Sequence, residues 1–127
     1  MHLFHKETVE TLQTVSNGDV VVWGDYKLLE TTGFSENANK FTCPVSAIYE
    51  FTLHMRIRPF NGELVMDDGV DVQVLLELLG NTVRRNNISG SVIVRCEASN
   101  QVFVRSSSYN QEVTKSSVFT GKILYRI

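Results

Sequence analysis

The chain has 127 residues, of which 43% are hydrophobic and 20% charged, a balance typical of one compact domain with a single core. We therefore treat residues 1–127 as one domain. Twelve Lys and Arg against fourteen Asp and Glu give a net charge of −2, so there is no basic excess for a nucleic-acid partner. No apolar stretch reaches the roughly 20 residues that a membrane-spanning helix needs, so we expect no membrane insertion.

Residue types that favour β-sheets dominate the composition. Val, Thr and Ile together occupy 33 of the 127 positions, whereas Ala occurs only three times. Side chains branched at the β-carbon lose rotamer freedom in helices and pack well on a pleated sheet. The composition predicts an all-β domain.

Alternation of apolar and polar residues predicts most strands. Near the start, the apolar positions between Thr8 and Val15 suit a strand or a short helix, and we leave this stretch unassigned. From Tyr49 to Arg58 every odd position is apolar and every even position polar, which predicts a long strand with one face in the core. Further strands are predicted at Val70 to Leu78, Ser91 to Cys96, Gln101 to Arg105 and Val118 to Arg126.

Turn residues separate these strands. Asn17-Gly18-Asp19, Asn61-Gly62 and Gly80-Asn81 contain residues that tolerate positive φ in tight hairpins. Several strands joined by polar turns at this spacing predict a β-sandwich or a barrel.

Sequence signatures of enzymes are missing. The chain has no HExxH, GxSxG, P-loop or Cys-x-x-Cys motif, and two of its three histidines fall within the first five residues. We expect no enzymatic activity and no required cofactor.

Four segments, in the order and spacing of the family, resemble the C1q domain. They are Gly33-Phe34 with Asn39-Lys40-Phe41-Thr42-Cys43-Pro44 and Ile48-Tyr49-Glu50-Phe51, the hairpin from Leu76 to Val83, the strand pair from Val92 to Val104, and Val118-Phe119-Thr120-Gly121-Lys122-Ile123-Leu124. One departure is Ser46-Ala47, where the family usually has Pro-Gly. The resemblance implies a ten-stranded jelly-roll sandwich, shared in outline with tumour-necrosis-factor-like ligands. It also implies a secreted, extracellular homotrimer that binds ligands.

Apolar residues on the second faces of the predicted strands suggest where three copies would meet. A monomeric sandwich does not leave many large apolar groups in water, so we expect loops or neighbouring subunits to cover them. If a bulge shifts a strand by one residue, inside and outside are exchanged. These second-face residues are Leu75, Leu79, Ile93, Phe103, Val118 and Leu124, and the expected trimer contact comprises Tyr49, Ile93, Phe103, Val118 and Leu124.

Charged residues on the polar face of the 49–58 strand form a candidate ligand site. His54, Arg56 and Arg58, together with Glu50, provide cationic groups for an acidic ligand such as a sialylated or sulfated glycan. The alternative is an ordinary solvent-exposed face, or salt bridges across a subunit contact.

Carboxylates between residues 63 and 71 form a candidate calcium site. Asp67, Asp68 and Asp71 follow Glu63, and hard oxygen ligands on a turn suit Ca²⁺. The spacing is not that of an EF-hand, and some members of the C1q family bind calcium in apical loops. A solvated acidic turn is the alternative.

Two covalent features are predicted as well. Cys43 and Cys96 would meet in a disulfide if their strands pair antiparallel, the alternative being two buried free thiols. Asn87-Ile88-Ser89 is an N-glycosylation acceptor sequence, a tripeptide that also arises by chance.

Together these features predict a trimeric, multivalent recognition module, acting in innate immunity on glycans or microbial surfaces. The alternatives are a receptor-binding signalling ligand of the cytokine or adipokine type, and the trimerisation head of a matrix or synaptic protein.

Overall fold

A computed structural model describes residues 2–8, 12–25, 34–35, 38–57, 60–80, 86–107 and 111–127. Its regular elements in these ranges are all strands, ten with three or more residues and two with only two. No helix in this part of the chain has the length and apolarity needed to cross a bilayer. The strands are β1 (His2–Glu7), β2 (Leu12–Val15), β3 (Gly24–Asp25), β4 (Phe34–Ser35), β5 (Lys40–Thr42), β6 (Ala47–Ile57), β7 (Phe60–Asp67), β8 (Val72–Gly80), β9 (Asn86–Cys96), β10 (Gln101–Ser106), β11 (Gln111–Thr114) and β12 (Val118–Arg126).

The strands form two antiparallel sheets packed face to face. Sheet A has the order β2-β11-β6-β12-β1-β3, with β9 on the free edge of β6. Sheet B has the order β4-β5-β10-β7-β8. The jumps between strands distant in sequence are those of a jelly-roll sandwich, so the predicted fold class is confirmed.

Strand β6 lies at the centre of sheet A and is paired along both edges. On one edge it pairs with β9 over all eleven residues, from Ala47 opposite Cys96 to Ile57 opposite Asn86. On the other edge it pairs first with β12 and then, at Ile57, with β11. Its odd-numbered residues are all fully buried, as the alternating sequence predicts.

Aromatic side chains from both sheets meet in the core. The ring centroid of Phe4 on β1 lies 4.7 Å from that of Phe41 on β5 and 4.8 Å from that of Phe119 on β12. Gly121 lies directly opposite Phe4 in the register between β1 and β12, where a Cβ would overlap the Phe4 ring. The absence of a side chain at Gly121 therefore makes room for the ring that joins the two sheets.

Two local predictions are changed by the structure. The unassigned stretch contains strand β2. Its Gln13 side-chain amide donates to the Val22 carbonyl and accepts from the Val22 N–H, which are the two hydrogen bonds that a paired strand residue would make with Val22. The turn predicted at Asn61-Gly62 is wrong, because both residues lie within β7. A Cβ on Gly62 would meet the Phe60 ring and the Arg105 carbonyl, so close packing explains this glycine.

Replacement of Gly121 by alanine tests the aromatic contact. The added methyl group overlaps the Phe4 ring, and we expect Gly121→Ala to lower the free energy of unfolding by about 1–3 kcal/mol. The cost becomes smaller when Phe4 is also replaced by leucine, because the shorter side chain vacates that space. Urea denaturation of the two single variants and the double variant measures both effects, and an equal cost in the two backgrounds contradicts the proposed overlap.

Candidate functional site on the outer face of sheet A

The face of sheet A that points away from the core, here called the outer face, brings together three strands. Along β6 it presents the even-numbered residues, which alternate with the buried ones. The register places Ser89 and Val118 on either side of His54. In the next row of the outer face, Ser91 and Thr120 flank Thr52. In the row after that, Ile93 and Lys122 flank Glu50.

One end of the outer face, here called the apolar end, exposes large hydrophobic groups. Ile93 is 60% exposed on β9, and Tyr125 is 63% exposed on β12 opposite Ile48. Leu124, which is 40% exposed, falls at a register shift between Ile123 and Tyr125 and has no partner on β6. These apolar side chains are exposed on the two strands that flank Ile48 and Glu50 of β6.

The other end, here called the polar end, contains a shallow groove. Its volume is about 290 Å³, and its lining combines the imidazole of His54 with three hydroxyl groups. The Thr52 and Ser91 hydroxyl oxygens lie 3.3 Å apart and form one hydrogen bond. Arg56 is the next outward residue along β6 and is exposed. The residues lining the groove are Thr52, Leu53, His54, Ser89, Gly90 and Ser91.

An ion pair borders the apolar end on the side of the groove, in the same row as Ile93. The Lys122 ammonium group is 3.1 Å from a Glu50 carboxylate oxygen. Glu50 and Arg56 are six residues apart on one strand, or about 20 Å at the usual rise, so they do not meet at one small ligand. The predicted ligand set is therefore divided: His54 and Arg56 lie together, Glu50 pairs with Lys122, and Arg58 lies outside the described residues.

The residues predicted for the trimer contact are divided as well. Ile93 and Leu124 are exposed on sheet A, and Val118 is partly buried there. Tyr49 and Phe103 were predicted wrongly, since neither has a side chain free to meet another copy. Tyr49 is enclosed in the core and donates its hydroxyl proton to the Val45 carbonyl, and Phe103 is 5% exposed beneath the Lys40 ammonium group.

Second-face residues of β8 lie on the opposite sheet. Leu79 is exposed, and Leu75 is partly buried against the core. They do not extend the apolar end, because β8 is an edge strand of sheet B. Of the second-face set, the register places Ile93 and Val118 on the outer face of sheet A, and Leu124 is exposed at the register shift of β12.

The acidic turn after β7 uses its carboxylates within the turn. Asp67 accepts a hydrogen bond from the Gly69 N–H at 2.8 Å, and Asp68 accepts from the N–H groups of Val70 and Asp71 at 2.8 and 2.7 Å. The bonds from Asp71 and Val70 lower the pKa of Asp68. In the described ranges no three His, Cys, Asp or Glu side chains are arranged to hold a metal ion, so the predicted calcium ligands Asp67, Asp68 and Asp71 do not converge.

Both cysteines are free, buried thiols, as in the alternative interpretation. The pairing assumed for a disulfide was wrong: β5, which ends just before Cys43, pairs with β10, whereas Cys96 lies on β9 beside β6. The two thiols nevertheless affect each other: interaction with Cys96 and burial raise the pKa of Cys43, and interaction with Cys43 lowers the pKa of Cys96.

The glycosylation sequence lies on β9 within the outer face. Asn87 is exposed and pairs with Arg56 at the polar end. A glycan there would stand beside the groove, and its attachment stays a prediction.

Sequence reasoning missed the hydroxyl groups of the groove. Thr52, Ser89 and Ser91 come together only through the register of β6 and β9. The one available signal was the alternation in β6, which assigns Thr52 to the face of His54, but the partner strand and its offset are not visible in the sequence.

Comparisons with known proteins agree with this architecture. The sequence profile of the C1q domain matches residues 4–124. The chain is 18% identical to the globular domain of zebrafish complement 1qA protein, with a TM-score of 0.76 and 98% of each chain covered. None of the curated proteins compared with the chain matches it.

Two further solved structures share the fold. The Eiger TNF from S. frugiperda is 10% identical with a TM-score of 0.79, covering 100% of this chain and 96% of its own. Murine APRIL, solved at pH 8.5, is 11% identical with a TM-score of 0.75, covering 96% of this chain and 98% of its own. At these identities the similarity establishes the fold alone.

The buried Tyr49 hydroxyl predicts a loss of stability in alkaline solution. Burial raises the pKa of Tyr49 above its ordinary value of 10.0, so at higher pH the unfolded chain releases this proton while the folded chain keeps it. We expect the free energy of unfolding to fall above about pH 10, by at most about 1.4 kcal/mol per pH unit for this one group. Urea denaturation between about pH 8 and pH 11 measures this, and Tyr49→Phe should flatten the dependence. An equally steep dependence in Tyr49→Phe would assign the effect to other groups.

Proposed function

The chain belongs to the C1q-domain family, and on this basis we propose that it is a secreted, trimeric binding module that recognises acidic glycans through its outer face. The observation that carries the proposal is the division of that face into an apolar end and a polar end. In this proposal the apolar end mediates self-association and the polar end binds the ligand.

The apolar end supports self-association. A soluble monomer rarely leaves neighbouring side chains such as Ile93, Leu124 and Tyr125 open to water. A head-to-tail contact closes into a ring when the rotation between copies is a simple fraction of a turn, and three copies make the smallest ring beyond a dimer. The zebrafish complement domain and the insect TNF, which share this fold, favour the threefold arrangement.

The polar end supports recognition of an acidic sugar. The Thr52, Ser89 and Ser91 hydroxyl groups and the His54 imidazole offer hydrogen bonds to sugar hydroxyls, and the Arg56 guanidinium suits a carboxylate or a sulfate. A shallow, open groove gives weak binding at a single site. Three copies on one rigid body bind a repetitive surface much more tightly, because the second and third contacts become intramolecular.

A second candidate is a signalling ligand that binds a protein receptor. The similarity to the Eiger TNF favours it, since that structure covers the whole of this chain with a TM-score of 0.79. In this alternative the clefts between subunits, with exposed groups such as Leu79 on β8, would supply the contacts. A trimerisation head of a matrix or synaptic protein would need only the apolar end.

Replacement of Ile93 by aspartate tests the proposed subunit contact. At micromolar concentration we expect the wild-type chain to sediment as a particle of three times the 14.4 kDa protomer mass. Ile93→Asp should sediment as a monomer with an unchanged circular dichroism spectrum, because its side chain is 60% exposed and a buried carboxylate would stand unpaired at the contact. The matched control Val70→Asp changes an exposed residue of the acidic turn and should remain trimeric. A monomeric wild type contradicts the proposal.

A glycan array tests the ligand class. We expect the trimer to bind sialylated or sulfated glycans, and Arg56→Ala to weaken that binding on the order of tenfold, the effect of losing one charge-assisted hydrogen-bonding group. Arg105→Ala is the matched control, since Arg105 is a partly exposed arginine on β10 of sheet B, away from the outer face, whose guanidinium group lies 2.7 Å from Glu63. No binding by an intact trimer across the array would instead favour the protein-receptor function.

A further inference from the structure

The N-glycosylation acceptor sequence overlaps the groove of the polar end. Asn87 and Ser89 are exposed on the outer face, because each pairs with an outward-facing residue of β6. Ile88, between them, packs against the core. The Ser89 hydroxyl completes the acceptor sequence, and Ser89 is also one of the residues that line the groove. One tripeptide therefore takes part in both features.

The register places a glycan on Asn87 at the edge of the groove. Alternate residues of a strand are about 7 Å apart, which is the distance expected between Asn87 and Ser89. His54 is a diagonal neighbour of Asn87 across the β6–β9 pair, and diagonal neighbours are about 7–8 Å apart. An N-linked glycan is a bulky polar group, whereas the groove is shallow, with a volume of about 290 Å³. A short oligosaccharide attached at Asn87 is therefore long enough to lie across it.

The attached sugar chain would compete with a free ligand for the same hydrogen bonds. The hydroxyl groups of Thr52, Ser89 and Ser91 and the His54 imidazole can bond to sugar hydroxyls from either source. A group held by a short flexible link has an effective concentration in the millimolar range. Because an open, shallow groove binds a single free sugar weakly, the attached chain has the advantage.

The apolar end lies beyond the reach of this effect. Ile93 is six residues from Asn87 along β9, or about 20 Å at the usual rise. A glycan at Asn87 thus leaves the proposed subunit contact open, and assembly does not depend on whether the groove is covered.

We propose that an N-linked glycan on Asn87 covers the groove of its own protomer, so that the glycosylated chain assembles but does not bind acidic glycans. This inference rests on the proposed function and adds its regulation. In the covalent step, the Asn87 side-chain nitrogen bonds to the anomeric carbon of an oligosaccharide carried on a lipid diphosphate. The bond from that carbon to the diphosphate oxygen breaks, the lipid diphosphate leaves, and the nitrogen loses one proton to solvent.

Chemical modification of His54 tests whether the groove is covered. The chain is secreted from a glycosylating eukaryotic host, mass spectrometry confirms the glycan, and Asn87→Gln from the same host provides the unglycosylated form. Diethyl pyrocarbonate, which acylates accessible imidazoles, should modify His54 several-fold more slowly in the glycosylated chain, while His5 on β1 reacts equally in both. Ser89→Thr keeps the acceptor sequence and a hydroxyl group, so it should protect His54 like the wild type. Equal His54 rates, or a secreted chain without a glycan on Asn87, would overturn the inference.

A glycan at another position controls for bulk alone. Asn87→Gln combined with Asp19→Thr moves the acceptor sequence to Asn17, in an exposed turn whose Gly18 N–H donates to the Ser106 carbonyl at the end of β10 in sheet B. A glycan there should leave His54 as reactive as in Asn87→Gln. Equal protection from both positions would contradict a specific cover.

Binding to a glycan array separates the regulation from the function that it regulates. We expect Asn87→Gln to bind sialylated or sulfated glycans on the order of tenfold or more tightly than the glycosylated chain, since no attached sugar competes. Both forms should sediment as trimers, and loss of the trimer on glycosylation would overturn the inference. Equal binding by both forms overturns the inference and leaves the proposed function standing. Protection of His54 without binding by either form supports the cover and contradicts the proposed function.

Discussion

Hydrogen bonding along both edges of β6 is the constraint on which the rest of the structure depends. With β9 on one side and β12 followed by β11 on the other, the strand cannot shift by one residue without exchanging its two faces. Its odd-numbered side chains fill the core, so its even-numbered ones form the centre of the outer face. Core packing and the candidate site are two results of the same register.

This constraint also explains why both candidate surfaces share one face. Ile93, proposed for assembly, and His54, proposed for ligand binding, lie on one sheet surface because β6 pairs with β9. The Glu50–Lys122 ion pair lies in the row of Ile93, at the border between the apolar end and the polar end. The surfaces proposed for assembly and for ligand binding adjoin each other because both are built around β6.

Much of the fold could be predicted from local patterns, and the failures have identifiable causes. The alternation from Tyr49 onward places the core side of β6 correctly, because period two is a property of a single strand. Asn61-Gly62 has the composition of a turn, but Gly62 is explained by the approach of the Phe60 ring and the Arg105 backbone, contacts from outside the local sequence. Cys43 and Cys96 affect each other's pKa although their strands do not pair, because residues of the two sheets face each other across the sandwich. The sequence identifies His54 and Arg56 as basic residues on one strand face, but the hydroxyl groups beside them can be assigned only once the pairing of β6 with β9 is known.

One extra residue near the end of β12 has an effect out of proportion to its size. Without the register shift after Ile123, Leu124 would stand opposite Ile48 and Tyr125 would turn toward Ala47 and the interior. Because of the extra residue, Tyr125 faces outward beside Leu124, so this strand exposes two large apolar side chains where regular pairing would expose one. The apolar area exposed at this end of β12 thus depends on strand geometry as much as on composition. Deletion of a single residue would change which side chains are exposed while leaving the rest of the sequence unaltered.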